Sequence, residues 1–136
     1  MVLKKELTGG TDIFQIDYTS AYATAVPELE KLIRTFTYNR AGEGTFVIED
    51  RFEAVSGISF ETAITTRADW KMIGNNRLEV VLGGEKMTVD IEAPGVVEFD
   101  SETVEVNSPA YTRIGIRLKK PLQSGSVRLI MYPSRP

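Results

Sequence analysis

A short stretch in the first half of the chain carries the side chains best suited to acid–base chemistry. Glu49, Asp50 and Arg51 are consecutive in a segment with the alternation of a β-strand. A carboxylate beside a cation can serve as a general acid or base when its surroundings tune its pKa. A regular strand, however, directs Asp50 and Arg51 to opposite faces. We therefore interpret Asp50 as structural: either one half of an ion pair, with Arg34 or Arg40 on the neighbouring strand as its partner, or a carboxylate that caps a turn.

The residue types that are absent restrict the chemistry further. The 136-residue chain has no cysteine and no histidine, so it offers no disulfide, no thiol nucleophile and no imidazole base or zinc ligand. Catalysis within the chain would depend on carboxylates, Tyr, Lys or Arg. No Asp-rich loop of calcium-binding spacing occurs. We therefore predict no catalytic residue, no metal site and no cofactor in this chain.

The composition predicts one globular domain over residues 1–136. The hydrophobic share of 42% and the charged share of 26% are typical of a packed domain rather than a disordered chain. The net charge of −3 argues against a strong electrostatic grip on nucleic acid. No segment approaches the ~18 apolar residues of a membrane span, and the N-terminus lacks the apolar core of a signal peptide. We expect neither nucleic acid nor a membrane as a partner.

A second candidate site surrounds the single tryptophan, Trp70. Arg67 and Lys71 flank it, and Asn75 and Asn76 follow shortly after. An aromatic ring among cations and amides can stack on a sugar and bind its carboxylate or sulfate groups. The alternative is that Trp70 anchors the edge of the core and the asparagines form a turn, and we favour it. If the chain binds a glycan, these five residues are its predicted site.

Two further clusters have a functional and a structural interpretation. Basic residues on the penultimate predicted strand could meet an acidic polysaccharide, but we interpret them as a solvated face that protects a sheet edge. Tyr22, close to Asp17, could act as an acid or base only with a tuned pKa, and we interpret it as a packing residue whose hydroxyl bonds the backbone. The basic cluster comprises Arg113, Arg117, Lys119 and Lys120, and Arg128 could join it from the last strand.

Alternation of apolar and polar residues with a period of two dominates the chain and predicts β-strands. The clearest hairpin turns at Gly83-Gly84, since glycine adopts the positive φ of a tight turn. Asp100-Ser101 and residues 121–125 are also predicted as turns. Residues 19–32 fit either a short helix that begins at Pro27 or a loop that crosses between sheets. The other predicted strands cover residues 13–18, 33–38, 45–55, 60–73, 95–106, 111–120 and 126–132. The range 60–73 includes a break near Asp69, and the range 95–106 contains the predicted turn at Asp100-Ser101.

Nine to eleven short strands at this spacing predict an all-β fold, an antiparallel two-sheet β-sandwich. Five segments also occur in a particular order: "DYTSAY", "IRTFTYNR", "VIEDRFE", "TTRADWKMIGNN" and "RLEVVL". This ordered set resembles the C-terminal β-rich region of the heparinase II/III-like polysaccharide lyases. The resemblance extends from about Asp17 to the end of the chain, and it depends on the order of the segments more than on any one of them.

The resemblance implies a function that the chain alone would not perform. Such lyases usually pair an N-terminal α/α-toroid with a C-terminal antiparallel sandwich, and they cleave acidic polysaccharides by β-elimination with Tyr and His. Without His, this chain resembles a non-catalytic C-terminal fragment of a larger, periplasmic or extracellular lyase. Its implied partners are the toroid of the parent chain and an acidic polysaccharide. The alternatives are a stand-alone carbohydrate-binding module and a structural or assembly domain with a protein partner.

Overall fold

The computed structural model describes residues 1–106 and 109–134, and within them the chain forms eleven β-strands and one short helix. The elements in chain order are β1 (Val2–Leu7), β2 (Thr11–Asp17), α1 (Thr19–Tyr22), β3 (Leu29–Asn39), β4 (Thr45–Ile58), β5 (Glu61–Thr66), β6 (Asp69–Gly74), β7 (Arg77–Leu82), β8 (Glu85–Glu92), β9 (Val97–Val104), β10 (Tyr111–Leu118) and β11 (Leu122–Pro133). No helix in these two ranges is long and apolar enough to cross a membrane.

The strands form two antiparallel sheets that pack face to face. The larger sheet has eight strands in the order β1-β2-β3-β4-β11-β8-β7-β6, and the smaller has three in the order β5-β10-β9. Both sheets contribute fully buried side chains to one core, including Phe52, Leu78 and Leu129 from the larger sheet and Ile114 and Ile116 from the smaller. The all-β, antiparallel two-sheet sandwich expected from the sequence is confirmed.

Alternation explains which side chains enter the core. In β4, Asp50, Phe52 and Ala54 are buried, while the intervening Arg51 and Glu53 are exposed. The turn between β7 and β8 has φ of 58° at Gly83 and 86° at Gly84, so the predicted glycine hairpin is confirmed.

The smaller sheet covers only part of the larger one. Among the described residues, β1 and β2 contribute nothing to the core cluster, whereas Leu29 and Leu32 of β3 pack against it. The strands β1 and β2, together with residues 36–39 at the end of β3, are here called the wing, and they extend past the edge of the smaller sheet. An aromatic row runs from the wing to β4: the ring centroids of Phe14 and Phe36 are 6.5 Å apart, and those of Phe36 and Phe46 of β4 are 6.2 Å apart. These rings are only partly buried.

Two predicted turns are wrong. Asp100 and Ser101 do not form a turn but lie inside β9, where they pair with Gly115 and Ile114 of β10. Residues 121–125 belong largely to β11, which begins at Leu122 and has an irregularity between Leu122 and Ser124. Continuous pairing with a neighbouring strand satisfies backbone groups that a local turn would leave to water, so it overrides turn-forming composition.

The N-terminal part of the chain, from β1 to the start of β3, also differs from the prediction. β1, an exposed edge strand with two lysines, is absent from the predicted strands because its alternation is short and irregular. In the undecided stretch 19–32, the helix ends at Tyr22, before Pro27, and β3 already begins at Leu29. The helix therefore does not begin at Pro27.

Candidate functional site

The buried carboxylate of Asp50 is paired with Arg34, one of the two partners expected from the sequence. Asp50 is 3% exposed, and the register of β3 and β4 puts Arg34 directly opposite it. Nε and Nη2 of Arg34 donate to the two carboxylate oxygens of Asp50 at 2.6 and 2.7 Å. Arg40 forms its ion pair with Asp12 instead. The two parallel bonds fix the plane of the Arg34 guanidinium as well as its position.

Arg34 remains a cation with one nitrogen still available. Its hydrogen bonds to Asp50 raise the pKa of Arg34 above the ordinary value, because they stabilise the charged form. Nη2 also lies 3.3 Å from Oγ1 of Thr62 in β5, the edge strand of the smaller sheet. Within residues 1–106 and 109–134, no hydrogen bond involves Nη1 of Arg34. That nitrogen can therefore donate to a ligand.

Arg34 and Asp50 border a cavity of about 320 Å³, here called the Arg34 cleft. The cleft lies at the step where the smaller sheet ends above β3 and β4 of the larger sheet. Its other walls come from the segment around α1, from β3 and from residues 58–61, which connect β4 to β5. The lining residues important for its chemistry are Tyr18, Tyr22, Leu32, Phe52, Phe60 and Glu61.

A network around Asp17 holds the segment before the cleft in place. The Asp17 carboxylate accepts hydrogen bonds from the backbone N–H of Thr19 at 2.8 Å and from its hydroxyl at 2.6 Å. These bonds lower the pKa of Asp17. The hydroxyl oxygen of Thr19 in turn accepts the backbone N–H of Leu32 in β3 at 2.8 Å. The short helix is thus tied to β3, and Tyr22 at its end lines the cleft.

The prediction that Tyr22 packs with its hydroxyl bonded to the backbone is wrong. Tyr22 is 48% exposed. Its hydroxyl appears in none of the side-chain hydrogen bonds formed within the described ranges. Tyr18 and Tyr22 both lie close enough to Arg34 to help raise the pKa of its guanidinium. The cleft therefore contains one cation and two phenols that can bond a ligand.

Stacked aromatic rings form the apolar part of the cleft. The rings of Phe52 and Phe60 are 5.0 Å apart between centroids and inclined by 13°. Phe52 is fully buried, whereas Phe60 is partly exposed beside the cavity. At the mouth, Glu61 accepts a hydrogen bond from Arg113 at 2.8 Å, which offsets its negative charge. The arrangement can bind a carboxylate attached to a ring with an apolar face.

The five residues predicted to bind carbohydrate do not converge on one surface. Trp70 is partly buried and packs against the core, while the adjacent Lys71 is exposed on the opposite face of β6, 3.7 Å from Glu79. Arg67 lies exposed in the bend before β6. Asn75 and Asn76 form the turn after β6, and the carbonyl of Asn76 accepts the N–H of Ile91 at 2.9 Å. Carbohydrate binding by these five residues stays a prediction.

Replacing Trp70 by alanine tests whether the ring is a core anchor or a sugar platform. We expect Trp70→Ala to lower the free energy of unfolding by about 2 kcal/mol, since it removes a partly buried ring that contacts the core. The exposed neighbour gives a matched control, Lys71→Ala, expected to change stability by no more than about 0.5 kcal/mol. Urea denaturation measures both. Unchanged stability of Trp70→Ala together with lost glycan affinity would show instead that the ring serves a ligand.

The two arginines of the basic cluster on the penultimate strand are paired with carboxylates of adjacent strands. Arg117 of β10 bonds Glu98 of β9 at 2.7 Å, as Arg113 bonds Glu61 of β5. Arg128 lies in β11 of the larger sheet, so the idea that it joins this cluster is wrong. It bonds Glu92 at 2.9 Å. Such exposed pairs agree with a solvated face and contribute little stability.

Together, the fold and the cleft define an antiparallel β-sandwich domain with an overhanging larger sheet and a ligand-sized cavity at the step. In the described ranges, no group of three or more acidic side chains is arranged to hold a metal ion. No protein-family model matches the sequence, and a search of curated proteins found no match.

Solved structures match the fold over nearly the whole chain. The heparinase III–BT4657 gene product matches with a TM-score of 0.74 and 12% identity over 98% of this chain. The form of that protein with methylated lysines matches with a TM-score of 0.69 and 10% identity over 99% of this chain. Another heparinase III matches with a TM-score of 0.68 and 16% identity over 98% of this chain. This chain spans 21% of each of those chains. The heparinase-like sandwich recognised from the sequence is thereby confirmed as a fold.

Proposed function

We propose that this chain is a non-catalytic sandwich domain of a heparinase II/III-like polysaccharide lyase. One observation carries the proposal: 98% of the chain superimposes on only 21% of a heparinase III chain, with a TM-score of 0.74. A domain that occupies a fifth of such a protein leaves most of the chain for a separate catalytic part. Its role is to support that part, an α/α-toroid, and to contact the acidic polysaccharide. We propose a periplasmic or extracellular location for the parent protein.

The wing supports a role against another domain. Its aromatic row is partly exposed and separate from the core, and Tyr38 at one end of the row is 39% exposed. Apolar rings on one side of a sheet are stabilised when a second layer covers them. In the proposed lyase, the toroid supplies that layer. The same observation favours the second candidate function, an assembly domain with another protein as its partner.

An eliminative cleavage assay tests the absence of turnover. The isolated chain is incubated with uronate-containing polysaccharides, and the unsaturated product is followed by its ultraviolet absorbance. We expect no increase above the enzyme-free rate, because the chain has no histidine to share the proton transfers with tyrosine. A complete heparinase III is the positive control. Steady product formation by the purified chain alone would refute the non-catalytic assignment.

A further inference from the structure

We propose that the Arg34 cleft binds a hexuronate residue of an acidic polysaccharide and that Nη1 of Arg34 donates to the sugar carboxylate. This deepens the proposed function, on which it rests, by assigning the glycan contact to a particular cavity. The cleft lies on the opposite side of the core from β6, which carries Trp70, since β4 and β6 are separated by three strands of the larger sheet. It is therefore a different site from the one predicted around Trp70.

Asp50 prepares Arg34 for this contact. Two of the three guanidinium nitrogens are held by the carboxylate, and the ion pair fixes the side chain before any ligand arrives. Because the side chain is already ordered, a hydrogen bond from the free nitrogen Nη1 to a ligand costs little further conformational entropy. Asp50 balances the charge of Arg34, and Arg113 balances that of Glu61 in the lining, so these two ion pairs give the cleft no net positive charge. The cleft therefore offers a carboxylate one directed N–H donor and does not suit a dense cluster of anionic groups.

The remaining walls fit the other features of a sugar ring. Tyr22, with 48% of its surface exposed, presents both a ring and a hydroxyl without a partner in the described chain. A pyranose has an apolar face that packs on an aromatic ring and hydroxyls that bond a phenol. Phe60 continues the apolar surface inward. The volume of about 320 Å³ is at the lower end of the range for small-ligand sites, which suits one or two sugar residues.

Binding is tested with a matched pair of ligands. The probes are an uronate-containing tetrasaccharide and the same tetrasaccharide with its carboxyl groups reduced to alcohols. Isothermal titration calorimetry measures affinity, and amide chemical shifts locate the contact. We expect the acidic sugar to bind at the cleft and the reduced sugar to bind at least roughly tenfold more weakly, as loss of a charged hydrogen bond implies. Equal affinity for the two sugars, or no binding of either, would overturn the proposal.

Three variants separate the cleft from general surface charge. Arg34→Lys keeps a cation opposite buried Asp50 but loses the planar donor, and Tyr22→Ala removes an exposed ring; each should weaken binding by roughly tenfold. Arg117→Gln removes a cation that is 45% exposed on the outer face of the smaller sheet and should change affinity by less than about twofold. Circular dichroism verifies folding. If Arg34→Lys does not fold, Tyr22→Ala decides the outcome.

The experiments distinguish hexuronate binding in the Arg34 cleft from the proposed function as a non-catalytic domain. Equal losses in Arg117→Gln and the cleft variants, or shift changes centred on Trp70, would refute the Arg34 cleft as the site while leaving the non-catalytic domain intact. Turnover by the chain alone would refute the non-catalytic assignment, whatever the binding data show. Shift changes at Tyr22 that vanish in Arg34→Lys would support the cleft.

Discussion

Replacing Arg34 by methionine is expected to lower the free energy of unfolding by about 3 kcal/mol at pH 7. The substitution leaves the Asp50 carboxylate, only 3% exposed, without its cation, and an unpaired buried charge is costly. Asp50→Asn should cost less, because the Arg34 side chain is 32% exposed and can turn toward water through the cleft. Urea denaturation at pH 7 provides both values, since a domain of this size usually unfolds in one step.

A double variant is the control. Arg34→Met/Asp50→Leu removes both charges and should return to within about 1 kcal/mol of the unmodified chain, as apolar replacement of buried pairs often does. If the double variant is as unstable as Arg34→Met, the cost does not come from the unpaired charge of Asp50, and the buried-charge explanation is wrong.

Replacing Phe52 by alanine is expected to cost roughly 3–5 kcal/mol, the range for removal of a large aromatic from a core. Phe52 is fully buried, stacks on Phe60 and lies opposite Gly125 of β11. A Cβ at Gly125 would come within 3.3 Å of the Phe52 ring, so β4 and β11 are closely packed there. With a total stability of about 5–15 kcal/mol for a native domain, such a loss should lower the thermal midpoint markedly.

Val55→Ala on the same strand is the matched control. Val55 is 61% exposed, three residues after Phe52, and its truncation should change stability by less than about 1 kcal/mol. Thermal unfolding followed by circular dichroism compares the two. If Phe52→Ala were as stable as Val55→Ala, the ring would not be part of the shared core, and the packing of the two sheets described above would be wrong.

Local features of the sequence were enough to predict most of the strands and, for much of their length, which side chains share a face. The alternation of β4 placed Asp50 and Arg51 on opposite faces, and a carboxylate near the core requires a cation on the next strand, which identified Arg34 and Arg40 as candidate partners. These inferences succeeded because the side-chain direction along a strand depends only on the strand itself.

The cleft could not be predicted from the sequence. Tyr22, Arg34 and Phe60 are far apart along the chain, and no spacing rule connects them. They meet because the chain leaves the larger sheet after β4 and enters β5, which pairs with β10, and this crossing brings Phe60 beside Arg34 of β3. The signal that was available, an early tyrosine-rich segment beside Asp17, indicated packing and not a cavity.

The sequence by itself determined that this protein is built of short antiparallel strands, that one face of most strands is apolar, and that Asp50 needs a basic partner. Only the tertiary structure decided that eight strands join one sheet and three the other, that the wing extends beyond the smaller sheet, and that Asp100 and Ser101 stay within a strand. The physical reason is that alternation specifies the face of each side chain, whereas the choice of neighbouring strand depends on backbone hydrogen bonds and packing between distant segments.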